Sequence, residues 1–195
     1  SAMDGLGLSI LEISHRSPTF DAIINEARNG IRRLLSVPDT HDILFLGGGA
    51  RGQFAQIPLN FLRPDDRSGY VDTGVWATGA QEEAARMGQI EVLANGQDSG
   101  YSALPDLSQL TGMEELTYVH TTSNNTIYGT QWNPLPHFGS VRHVCDMSSD
   151  IFSRPVDISR FSLIYAGAQK NAGPAGVTLV ILEREWMESA RTDIP

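Results

Sequence analysis

Asp42-Ile43-Leu44-Phe45-Leu46-Gly47-Gly48-Gly49-Ala50-Arg51-Gly52, followed by Gln-Phe-Ala-Gln-Ile-Pro-Leu-Asn-Phe at 53–61, carries the reading of the fold. Residues 42–46 form a short apolar run closed by a turn signal, which predicts a buried strand. The glycines end that strand. Residues 53–61 predict a helix, which Pro58 should bend or shorten, because a proline inside a helix removes one hydrogen bond and crowds the preceding turn. A strand passed to a helix through a tight loop is the repeating unit of an α/β domain.

The same alternation extends in both directions. Phe20, Ile23, Ile24, Ala27, Ile31, Leu34 and Leu35 recur at spacings of three and four, so residues 20–35 predict a helix with one apolar stripe. Beyond the glycine loop, short strands are predicted at 70–73, 90–93, 117–120, 141–145, 163–166 and 177–182. An Ala-rich helix is predicted at 77–87, and a last helix near Glu183. The polar, Gly-containing stretch 95–112 reads as a loop. The expectation is one α/β domain over residues 4–195, with a mostly parallel sheet flanked by helices. Ser1-Ala2-Met3 reads as a tag remnant.

Composition narrows the function classes. A formal net charge of −9 gives no general attraction for nucleic acid, whose binding rests on cations that neutralise phosphates. No apolar run approaches the roughly 20 residues of a membrane span, and no signal peptide is expected. One cysteine, Cys145, cannot form an internal disulfide, which suits a cytoplasmic location. It cannot build a structural zinc site either, and the five histidines have no ligand-like spacing, so no metal is expected.

In open α/β sheets ligands bind beyond the carboxyl ends of the strands. The segments to watch are therefore 47–52, 73–76, 121–126, 146–149 and 168–173. The glycine loop could aim backbone N–H groups and a helix N-terminus at a phosphate, or could be only a tight turn. Asp146 closes an apolar strand; it is either a cap or a carboxylate paired with a cation. Trp76 is either core or a flat face for an aromatic ligand. His15, Arg16 and Arg51 are either solvated charges or an anion site. Lys170 is the only lysine among 14 basic residues. It is either a surface charge or, alone among them, a side chain able to lose its proton and attack a carbonyl. It sits among small residues, in Ala166-Gly167-Ala168-Gln169-Lys170-Asn171-Ala172-Gly173, which permit close approach of a ligand.

Five segments together resemble the phosphoserine aminotransferases, which are class V, fold type I pyridoxal-phosphate enzymes. They are LEISHR at 11–16, GGGARGQF at 47–54, TGVW at 73–76, SNNTIYG at 123–129 and DMSSDIFSRPVDISRFSLIYAGAQKNAGPAGVT at 146–178. The resemblance runs from Gly5 onward. It implies the large domain of a homodimer that exchanges an amino group between glutamate and 3-phosphohydroxypyruvate, giving 2-oxoglutarate and phosphoserine for serine biosynthesis. It implies pyridoxal 5'-phosphate held by Lys170 through a Schiff base, Asp146 at the pyridinium nitrogen and Trp76 stacked on the ring. Thr126 and Gln169 would bond the cofactor, and the backbone of Ala50 and Arg51 its phosphate. His15, Arg16 and Arg51 would bind the anionic substrate. The family's chains are longer, and their C-terminal small domain has no counterpart here. Asn125 stands where an acidic residue is common, and Cys145 where a small one is. Two other readings stand beside it: a catalytically silent cofactor-binding or dimerising domain, and another fold type I enzyme such as an alanine–glyoxylate aminotransferase or a cysteine desulfurase, against which the basic cluster and the serine-rich segment after Asp146 argue.

Overall fold

The computed structural model describes residues 7–194, so the supposed tag remnant lies outside it. Helix α1 (Pro18–Leu35) starts where the Ser17 hydroxyl accepts from the Phe20 N–H at 3.2 Å. Pro18 stands at its first position, where a missing N–H costs nothing. Two of its arginines reach the next strand, β1 (His41–Gly47): Arg28 Nε donates to the Ile43 carbonyl at 3.2 Å and Arg32 to that of His41 at 2.8 Å.

Helix α2 (Arg51–Phe61) follows the glycine loop, then β2 (Arg67–Asp72), α3 (Val75–Ala84) and β3 (Gln89–Asn95). After a long irregular connection come β4 (Val119–Thr122) and a small hairpin, β5 (Asn124–Asn125) with β6 (Thr130–Gln131). The chain ends with β7 (His143–Asp146), β8 (Leu163–Gly167), β9 (Val177–Glu183) and the short α4 (Arg184–Glu188). Pro58 does not shorten α2, which runs on to Phe61; the Leu62 N–H closes the last turn on the Pro58 carbonyl at 2.9 Å.

The main sheet has the order β1-β9-β8-β7-β4-β2-β3. β8, β7, β4, β2 and β3 pair in parallel, and β9 is antiparallel to both β8 and β1. β1, β8, β7, β4, β2 and β3 therefore share one direction, and β9 alone opposes them. Side chains alternate across the sheet. Ile43, Cys145, Ile164, Leu179 and Ile181 point to the face covered by α1 and the turns after β7. Val144, Leu163, Tyr165, Val180 and Leu182 point to the face covered by α2, α3 and α4. Both faces are buried, which is why the central strands read as continuous apolar runs.

Trp186 of α4 closes the second face. It is 2% exposed and stacks on Phe61, with ring centroids 4.1 Å apart. Trp186→Ala should lower unfolding free energy in urea by about 3–5 kcal/mol, while Leu34→Ala on the exposed side of α1 should change it by less than about 0.5 kcal/mol.

Candidate active site

The shared strand direction brings the carboxyl ends of β1, β2, β4, β7 and β8 to one edge of the sheet. A cavity of about 440 Å³ opens there, lined by Gly49, Ala50, Arg51, Phe54, Trp76, Thr122, Asn124, Thr126, Asp146, Ser148, Ser149, Gln169 and Lys170. Ala50, Arg51, Trp76, Thr126, Asp146, Gln169 and Lys170, singled out separately in the sequence, thus meet in one place.

Asp146 ends β7 and is 5% exposed. Its Oδ1 accepts the Ser148 N–H at 2.9 Å. Burial pushes its pKa above the ordinary carboxylate value, partly offset by hydrogen bonding from Ser148. A buried carboxylate with no cation partner among the described residues is a site that favours a positively charged ligand.

Lys170 lies in the loop between β8 and β9. It is exposed, and its Nζ donates to Thr126 Oγ1 at 2.9 Å. The loop is fixed at both ends: the Ala168 N–H donates to the Val177 carbonyl at 2.8 Å, and Asn171 Nδ2 to that of Ile151 at 2.6 Å. It is also tied to the glycine loop, where the Gly48 N–H donates to the Gly176 carbonyl at 3.1 Å. Thr126 reaches Lys170 from the β5–β6 hairpin. Gln131 Nε2 anchors that hairpin by donating to Asp150 Oδ2 at 3.0 Å.

At the start of α2 the N–H groups of Gly49, Ala50 and Arg51 carry no hydrogen bond among the described residues. Gly167 lets this helix end approach β8: a Cβ there would lie 3.0 Å from the Ala50 nitrogen. The Arg51 guanidinium stands over the Trp76 ring, 5.6 Å from its centroid. Trp76 in turn is held by the turn before α3. Gly74 has φ +136° and the Tyr128 ring rests on its bare Cα, where a Cβ would meet carbon at 2.5 Å. The Asp72 carboxylate fixes this turn, accepting the Gly74 N–H at 3.0 Å and the Tyr101 hydroxyl at 3.2 Å.

Residues 2–192 match the family described as aminotransferase class-V. The chain belongs to that family. Phosphoserine aminotransferase of Shouchella clausii is 48% identical over 192 residues, which are 98% of this chain and 52% of that protein. A solved phosphoserine aminotransferase from Bacillus circulans superposes with a TM-score of 0.94 at 44% identity, covering 98% of this chain and 53% of that one. A PLP-bound phosphoserine aminotransferase from Trichomonas vaginalis gives 0.90 at 31% identity, over 98% of this chain and 57% of its own. The chain spans about half the length of the relatives it matches.

For a class-V aminotransferase chain, two expected site residues stand apart. His15 and Arg16 are exposed on the segment before α1 and do not line the cavity; of the three-residue anion cluster only Arg51 does. Gly49, Thr122, Asn124, Ser148 and Ser149 lie in the segments flagged after the strands, yet nothing in the sequence picked them from their neighbours. Phe54 carried one usable signal, its position a helical turn beyond Ala50 on the same side of α2.

The pKa of Asp146 bears on stability. The native chain holds this proton more tightly than the unfolded chain does, so ionisation costs stability as pH rises through and above the ordinary carboxylate value of about 3.9. Asp146→Asn avoids that cost. Without ligand the variant should resist urea better than the parent at pH 7, and the two midpoints should converge below about pH 3.9.

Proposed function

We propose that this chain is the cofactor-holding half of a phosphoserine aminotransferase, using pyridoxal 5'-phosphate and transferring an amino group between glutamate and 3-phosphohydroxypyruvate. The observation that carries this reading is the cavity. An amine, a buried carboxylate, an indole face and three N–H groups at a helix start, unpaired among the described residues, line a single space. Each matches one part of a phosphorylated pyridine aldehyde. The PLP-bound relative from Trichomonas vaginalis supports the choice of cofactor.

When bound, the cofactor supplies an electron sink for a carbanion next to the reacting amine. The chain's residues do the rest. Lys170 would hold the group through its amine and would move the proton at the substrate α-carbon; as a lysine it can act as a neutral base, which no arginine can. Thr126 bonds that amine from across the cavity. Asp146 would pair with the ring nitrogen and favour its protonated form. Trp76 covers the ring, and Arg51 above it steadies the indole and offers a fork to carboxylate or phosphate. The N–H groups of Gly49, Ala50 and Arg51 would hold the cofactor phosphate, aided by the α2 dipole. Gln169 adds a polar contact beside Lys170.

The working unit we propose is a pair of such chains in a reducing cytoplasm. Val75 and Ile127, next to Trp76 and Thr126, are exposed at 45% and 58%, which supports a covering partner. Buried, unpaired Cys145 suits the compartment. His15 and Arg16 remain proposed substrate contacts of the complete enzyme.

Loading with pyridoxal phosphate and reducing with borohydride should attach one cofactor per chain. Peptide mass spectrometry should place it on Lys170, and Lys170→Ala should take none. A label confined to the N-terminal amine would remove the assignment.

A further inference from the structure

A second buried carboxylate stands in the turn after β7, and the proposed chemistry leaves it unused. Asp150 is 8% exposed and does not line the cavity. Taking a carboxylate out of water is costly unless donors replace the water. Three side chains do so here. Ser123 Oγ donates to Asp150 Oδ1, Gln131 Nε2 donates to Oδ2 at 3.0 Å, and Arg154 Nη2 reaches the same Oδ2 at 3.5 Å.

Two of these donors belong to one small element. Ser123 immediately precedes β5 and Gln131 ends β6, so the two oxygens of one carboxylate hold both legs of the hairpin at its base. The hairpin needs such a clamp. Its ladder pairs only Asn124 with Gln131 and Asn125 with Thr130, and a two-stranded hairpin is marginal on its own. Two further bonds tie the same base to the same region: Asn124 Nδ2 donates to Ser149 Oγ at 2.8 Å, and Arg154 Nη2 to the Trp132 carbonyl at 2.7 Å. On its flank the Thr73 hydroxyl donates to Asn125 Oδ1 at 3.1 Å.

The far end of the hairpin carries Thr126, whose Oγ1 is the one hydrogen-bond partner of Lys170 Nζ among the described residues. The Lys170 loop is fastened to the turn that holds Asp150. Asn171 Nδ2 donates to the Ile151 carbonyl, and the Gly167 N–H donates to Ser148 Oγ at 3.1 Å. Residues 147–151 therefore set the origin of both the amine and the hydroxyl that meets it. A lysine amine on a flexible four-carbon stem keeps one position only while its partner does.

We propose that Asp150 is a positioning residue: by clamping both legs of the β5–β6 hairpin it holds Thr126 against Lys170 and so fixes where the amine stands in the cavity. Its purpose rests on the reading of Lys170 given above, but the clamp exists in the chain alone.

Hydrogen exchange and NMR on the cofactor-free chain test the proposal. The Gly129 and Trp132 N–H groups donate to the Asn125 and Ser123 carbonyls at 2.8 and 3.0 Å, so their exchange reports on the hairpin. Asp150→Ala should speed both by about tenfold or more beyond any change at Cys145 and Ile164 in the central strands. It should also abolish the nuclear Overhauser contact between the Lys170 ε-methylene and the Thr126 methyl. Asp150→Asn keeps an oxygen for Ser123 and an amide that Gln131 can meet by turning its own, so it should restore both readouts. Gln131→Ala removes one arm at an exposed position, should show the same pattern more weakly, and carries the test if Asp150→Ala does not fold. Exchange at the hairpin that changes no more than in the central strands overturns the proposal. So does a Lys170–Thr126 contact that survives once the hairpin has loosened. Neither readout uses the cofactor, so failure of pyridoxal phosphate to bind would count against the functional reading alone.

Discussion

Strand direction is the constraint on which the site depends. β1, β8, β7, β4, β2 and β3 run the same way and deliver the glycine loop, Asp146, Thr122 and the turn before Trp76 to one edge. The exception, β9, matters as much as the rule. A parallel successor to β8 would need a crossover of a dozen or more residues. Because β9 turns back antiparallel beside β8, the segment that carries Lys170 is a short connection pinned at both ends and tied to the glycine loop. A lysine on a long crossover would have no such fixed origin.

The second constraint is electrostatic. Asp146 is buried where its charge is penalised, and the penalty stands until a cation shares the site. A bound cation would relieve a strain that the fold alone carries. This is the usual relation between an active site and stability: the residue that makes the cavity selective is one the empty protein would be more stable without. Ser148, from the turn that follows, moderates the cost.

The elements legible in the sequence were those with a strong period. The stripe from Phe20 to Leu35 became α1, and the run before the glycines became β1, each within about two residues of the expected ends. The β5–β6 hairpin was invisible, since Asn124, Asn125, Thr130 and Gln131 carry no hydrophobic alternation; side-chain bonds to Asp150 and Thr73 hold it instead. Thr126 therefore entered only through the family resemblance. Lys170 and Asp146 stood out by chemistry and by their place after a strand. Their meeting in one cavity depended on sheet order, which no local pattern encodes.

The central claim is that this edge holds a phosphorylated pyridine aldehyde in one orientation. A crystal structure of the chain with pyridoxal phosphate tests it most directly. The account predicts density in the cavity joined to Lys170, with the phosphate on the N–H groups at the start of α2, the ring under Trp76 and its nitrogen against Asp146. An empty cavity at saturating cofactor, or a ring bound with its phosphate toward Asp146, would contradict it.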